Sequence, residues 1–339
     1  MAINRSYMYG KFLARSAIAL LAMVVFLAVP ATAGNLTIDL NYSYDTNNFF
    51  ATNPQAEVLM QDAANFYESI LDTNLSAINA AAASASDSPD TDSWTTDTFN
   101  PSNPDNSADD IQVTDLVVPT NTIVVYVGGG NFSNGGELGL GGFGGSGESG
   151  TQNWINTVVA RGQPGALGSA DAQTVYAPWG GSISFSTSGN WFFGNLTPGE
   201  TVPTGKFDFY SVALHELGHV LGIGTSNVWF NDSTNANTFD GANAVAANGG
   251  ADVPLSNDGG HWAESTTSDV YGTTTLGSAT MIPQLFDGTR NLVTNLDVAG
   301  LKDMGWIVVP EPAAWPLAAA MVIGLQTWRK KRSSPLVKV

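Results

Sequence analysis

The stretch LHELGHVLGIGTSN, residues 214–227, decides how the rest of the chain is read. His215 and His219 stand four apart, so on a helix both imidazoles project from one face. Glu216 follows the first of them. A Gly comes at 222 and another at 224, where a helix would end. The segment before it, DFYSVA (208–213), supplies Asp208 as an N-cap and a run of apolar positions at Phe209, Val212, Ala213, Leu217, Val220 and Leu221. The spacing therefore predicts a helix over 208–224.

Two imidazole nitrogens at this spacing fit one Zn²⁺ at about 2.0–2.1 Å. Glu216 would sit beside the metal and take a proton from a water that the ion acidifies. The motif leaves the third ligand open. Thr225 is a poor ligand for zinc. The chain contains three histidines in all, and the remaining one is His261, in DGGHWAES (258–265), with Glu264 close behind it. Cysteine is absent, so neither disulfides nor thiolate ligands are available.

Composition sets further bounds. All 30 acidic residues but Glu311 fall within 34–310, which holds only four of the 12 basic ones: Arg161, Lys206, Arg290 and Lys302. So negative a body repels phosphate backbones, and no nucleic-acid partner is expected. Hydrophobic residues make up 43% of the chain, enough for a large core.

The two ends read as addresses. Residues 1–33 carry Arg5, Lys11 and Arg15, then SAIALLAMVVFLAV (16–29), then ATA (31–33), the layout of a secretory signal peptide cut before Gly34. At the other end stand Pro310-Glu311-Pro312, a short apolar stretch at 317–325 and Arg329–Arg332. Residues 310–334 resemble the PEP-CTERM sorting signal of Gram-negative bacteria, with 335–339 as a tail. That resemblance implies export to the envelope or surface, transient membrane association through this segment, and an exosortase-type processing enzyme as partner.

Between the ends, NLTIDLNYS (35–43) alternates like a strand. Residues 54–79 have helical spacing, with Asn53 as cap and Pro54 first in the helix. Residues 83–110 are rich in Asp, Ser and Pro and predict a low-complexity loop. TNTIVVYVGGG (120–130) reads as a buried strand, and the Gly-rich run 128–150 as a flexible loop. GSISFSTSGNWFF (181–193) reads as a strand, expected at 182–186 to form the edge on which an extended peptide pairs. VTNLDVAGLKDMGW (293–306) predicts a short helix capped by Asn295.

His-Glu-x-x-His-x-x-Gly, a delayed His-Trp at 261–262, Met281-Ile282-Pro283 and the closing LDVAGLKDMGW (296–306) together resemble the leishmanolysin branch of the metzincin zinc peptidases. The match covers 208–306. It implies an α+β domain over 34–309, with a twisted mixed sheet, an active-site helix and a loop-rich C-terminal subdomain. It also implies His215, His219 and His261 as zinc ligands, Glu216 as general base and Met281 as the Met-turn beneath the metal. Residues 225–258 would be an irregular insertion before the third His. The chain departs from leishmanolysins in having no Cys, and no pro-segment is visible after residue 33. Two other readings stand beside an exported metalloendopeptidase. One is an envelope, matrix or adhesion protein keeping a structural zinc; the other is a Glu-ligand aminopeptidase using Glu264.

Overall fold

The computed structural model describes residues 34–86, 92–194, 201–234 and 237–309. Both terminal signals lie outside the described residues. Its main elements are β1 (Thr37–Asn41), α1 (Pro54–Ile70), β2 (Ser93–Asp97), β3 (Thr122–Gly130), β4 (Gly139–Phe143), β5 (Gly145–Ser149), α2 (Gln152–Ala160), β6 (Gly180–Ser186), α3 (Phe209–Val220), α4 (Asn227–Asn231), α5 (Ala242–Ala247) and α6 (Asn295–Asp303). The class is α+β, with a mixed four-stranded sheet in the order β1-β3-β6-β4. The first three strands are parallel, and β4 runs antiparallel to β6.

Period-2 alternation sorts β3 between two cores. Ile123, Val125 and Val127 face the large core, which holds α1 and α3. Val124 and Tyr126 face a smaller one with Trp94, Trp154 and Trp179. On α1, Ala56, Leu59, Met60, Ala63, Tyr67 and Ile70 form the buried stripe. Tyr67 Oη donates to the Leu214 carbonyl at 2.9 Å, fastening α1 to α3. At the near end of the sheet, Arg161 is fully buried. Its guanidinium donates to the carbonyls of Ser76, Thr122, Pro178 and Pro119 at 2.8–3.0 Å.

The structure departs from the sequence expectations in several places. The first helix stops at Ile70, short of residue 79, because Leu71 and Asp72 turn extended and pair with Val308 and Ile307. Beyond them, Leu75 joins the large core and Ile78 the small one. Asn53 precedes α1 without a side-chain cap hydrogen bond. The Asp/Ser-rich region is not simply a loop. It contains β2, which pairs with β5 and buries Trp94. The Gly-rich run is also ordered, since it supplies β4 and β5.

Strand β4 displaces the expected substrate edge by pairing with β6. Residues 182–186 belong to β6, which lies between β3 and β4, so the edge on that side of the sheet is β4. Nor is 225–258 irregular. It forms α4, α5 and a small three-stranded sheet, anchored by Trp229 and Phe239, whose rings stack on each other and meet Trp262 tilted and edge-on. The last helix is capped by Thr294 rather than Asn295. Thr294 and Asp297 form a capping box, which needs the hydroxyl one residue earlier. Among the described residues, no helix is long and apolar enough to cross a membrane.

Candidate metal centre

Helix α3 is buried along almost its whole length. Its N-cap is Asp208, as the sequence predicts, accepting from Ser211 N at 3.1 Å. Arg290 grips the same carboxylate from the far side, at 2.7 and 2.9 Å. The helix ends where Gly222 takes φ +105°, a conformation that side chains with Cβ resist. Gly224 is also left-handed, at φ +71°, and its Cα faces the Gly260 carbonyl so closely that no Cβ could fit. This contact returns the chain next to His261. Thr225 serves the turn: its hydroxyl donates to the His219 carbonyl at 2.7 Å.

The result is a cluster of His215, His219 and His261. The Nε2 atom of His219 lies 3.0 Å from that of His215 and 3.1 Å from that of His261. Each Nδ1 faces an acceptor: the Thr280 carbonyl at 2.8 Å, the Ile223 carbonyl at 2.7 Å and the Asp258 carboxylate at 2.9 Å, for His215, His219 and His261 in turn. The acceptors place each proton on Nδ1, leaving three Nε2 lone pairs pointed at one another.

Three converging lone pairs repel unless a cation sits among them. Protons on His215 and His219 are disfavoured. Burial, followed by the neighbouring His261, pushes His215 down to about 4. Burial, then both neighbouring imidazoles, pushes His219 well below its ordinary value. A tetrahedral ion about 2.0–2.1 Å from each nitrogen sets the nitrogens roughly 3.3 Å apart, close to what the side chains already show. Hydrogen bonds from Nδ1 to carbonyl or carboxylate are the usual support of a metal-bound imidazole. The residues therefore fit a metal ion. Glu264 lies in the same cleft but outside the cluster.

Glu216 is 4% exposed. Burial pushes its carboxyl up to about 8, Glu137 adds to the rise, and a hydrogen bond from Gly141 N–H opposes it. Strand β4 thus rests directly on α3. A Cβ at Gly139 would strike the Glu216 carboxyl, and one at Gly141 would strike its main chain. Below the helix, Met281 is fully buried against Gly218, where a Cβ would collide with its sulfur. The cluster opens on a cleft of about 860 Å³, lined by β4, α3 and the segment 280–285 among others.

Sequence reasoning missed the residue that ties these parts together. The buried Asp297 carboxylate accepts from Trp262 Nε1 at 3.0 Å, Thr280 N at 2.9 Å and Met281 N at 3.2 Å, and from Thr294 N and Oγ1 at 2.8 and 2.7 Å. It thereby holds the neighbour of His261, the Met281 turn and the residue whose carbonyl supports His215. Burial raises its pKa, and these hydrogen bonds oppose the rise. Asp258 was also missed. Its only sequence signal is a carboxylate three residues before the lone distal His. Comparison of the chain with family models, with curated proteins and with solved structures returns no match.

Proposed function

We propose that the protein is an exported, zinc-dependent metalloendopeptidase with a metzincin-like catalytic domain. One observation carries this reading: three imidazole lone pairs converge beside a buried, non-ligating carboxylate at the floor of an open cleft. His215, His219 and His261 would hold a zinc ion, which would supply a Lewis acid able to lower the pKa of water toward ~7 and to polarise a peptide carbonyl. Glu216 is the proton carrier. With a cation in the cluster its carboxyl would ionise; the carboxylate would then take the proton of the attacking water and pass it to the leaving amine. The Gly141 N–H fixes that carboxylate. Edge strand β4, which replaces 182–186 in this role, offers main-chain partners to an extended peptide. Met281 packs under the ligand helix as a structural support.

A purely structural zinc usually takes a fourth protein ligand, and among the described residues the cluster has three. Digestion of casein by the 34–309 fragment, with and without a chelator, tests the proposal. Hydrolysis should need the metal. Glu216→Gln should lower the rate by about 10²–10⁴-fold while zinc stays near one per chain. His261→Ala should lose both zinc and activity, whereas Thr225→Ala and Glu264→Gln should keep the metal. Zinc retained by His261→Ala and lost by Glu264→Gln would make the site a Glu-ligand one. Wild-type protein with bound zinc and no hydrolysis would favour the adhesion reading.

A further inference from the structure

The carbonyl end of α1 is closed by the two ends of the body. A helix leaves its last carbonyls without donors of its own. The Ser69 carbonyl accepts from Gly34 N at 3.3 Å, and the Ile70 carbonyl from Val309 N at 2.9 Å. Just beyond, the Leu71 carbonyl accepts from Leu36 N at 3.3 Å. The Asn35 side chain donates to the Thr73 carbonyl at 2.9 Å and accepts from its N–H at 2.7 Å. Gly34 lies so close to this end that a Cβ would stand 2.1 Å from the Leu71 carbonyl oxygen and 2.2 Å from that of Glu68. Both obstacles are main chain, so only Gly fits. Among the described residues the Glu68 carbonyl has no main-chain donor. A helix C-terminus favours a cation, yet α1 has no basic residue in its last turn. The charged groups on the adjoining segments are acidic: Glu68 on α1, Asp72 after it and Asp39 on β1, with none on 307–309. Glu68 and Asp72 already accept from the amides of Ile38 and Thr73. The basic residues of the body stand elsewhere. Arg161 is spent on four other carbonyls, Arg290 on Asp208 and Lys206 on the Trp191 carbonyl, and Lys302 lies in the last turn of α6.

We propose that processing supplies the missing cation: cleavage before Gly34 creates an α-ammonium that docks on the carbonyl end of α1 and stabilises the body. The Ala33–Gly34 peptide bond takes up water, leaving a carboxylate on Ala33 and an ammonium on Gly34. That nitrogen already stands on the Ser69 carbonyl. As an ammonium it gains two further N–H donors and a full positive charge at the negative pole of a 17-residue helix. The Glu68 carbonyl beside it is the open acceptor. The proposal rests on the reading of residues 1–33 as a signal cut before Gly34, and it is independent of the peptidase reading.

The body is one compact unit carrying both cores, so residues 34–309 serve for the test. Three forms are compared: one beginning at Gly34, one with Gly-Ser placed before it, and one beginning at the same position with Gly34→Ala. The extension moves the charge away, and the Ala form keeps the amine but loses the slot. The pH dependence of acylation of the N-terminal peptide, followed by mass spectrometry, gives each amine's pKa. It should lie about 0.5–1 unit above the ordinary ~8 in the Gly34 form and be ordinary in the other two. At pH 7 and low salt the Gly34 form should melt about 1–4 °C above the extended one. Folding raises the pKa of this ammonium. Its contribution is therefore complete below the unfolded value and is lost as pH rises through the folded one, so the two forms should melt together by pH ~10. Glu216 titrates alike in both and cancels. An ordinary amine in the Gly34 form, a raised one in either other form, or equal melting at pH 7 overturns the docking. The full chain, exported by a host with a secretion pathway, should begin at Gly34 by N-terminal sequencing. A different start overturns the signal reading, and the proposal with it, whatever the amine does.

Discussion

At the scale of the residue, Asp297 shows how one buried acceptor can set a site it never touches. Five donors converge on it, from Trp262, Thr280, Met281 and Thr294. Replacing it by Ala leaves three of them, Trp262 Nε1 and the Thr280 and Met281 amides, without their acceptor in the core. Asp297→Ala should therefore cost about 3–5 kcal/mol, read as a shift in the urea midpoint. Zinc affinity should fall too, because His261 and the Thr280 carbonyl lose their anchor. An unchanged metal affinity in a folded Asp297→Asn protein would refute that second role. The His215-Glu216-His219 constellation was legible because three side chains within five consecutive positions of one helix suffice to define it. The support given by Asp258, Gly218 and Asp297 was not. Each depends on a partner that the fold brings from elsewhere, and a lone Asp or Gly carries no local mark of that meeting.

At the scale of the element, β4 explains why the glycine-rich run was misread. A strand is recognised by alternating side chains, and GLGGF (139–143) has almost none to alternate. Its glycines are demanded by contact across the gap to α3, where Gly139 faces the Glu216 carboxyl and Gly141 its main chain. The two positions should respond differently. Gly141→Val drives a branched side chain into helix backbone, which has no flexible end to yield, and should destabilise by about 2 kcal/mol or more in thermal unfolding. Gly139→Ala meets the movable end of Glu216. It should lower kcat about tenfold or more while shifting stability little. Equal effects on stability would mean that β4 does not lie on the helix as described. Helix α3 was legible from its cap and apolar spacing, and α6 from the Gly305 that ends it, although its cap is Thr294 and not Asn295. The insertion's α4 and α5 were not, because at five and six residues they are too short to establish a period.

At the scale of the whole molecule, the metal-free protein should show a distinctive pH response. Glu216 is raised from 4.5 to about 8, so its contribution to stability is present at low pH and is lost as pH rises through about 8. His215 is lowered from 6.5 to about 4, so its contribution is complete above 6.5 and is lost as pH falls through about 4. Between pH 6.5 and 8, then, only the Glu216 effect operates of the two. The melting temperature of metal-free protein should decline across that window. Glu216→Gln should remove the decline, and a decline that persists in this variant would place its source elsewhere. The α+β class was reached through the family resemblance, beside strands at 35–43 and 120–130 and the helices at 54 and 208 that the sequence marks by their own spacing. The strand order could not be read, since it turns on where a nearly featureless strand docks. One last property belongs to the chain in its entirety. It has three histidines and no cysteine, and all three histidines stand in the cluster. Every imidazole resonance in an NMR spectrum therefore reports on the centre alone. Uniform histidine labelling, with no mutagenesis and no assignment against a background, can follow metal entry, tautomer and exchange at that centre in the native protein.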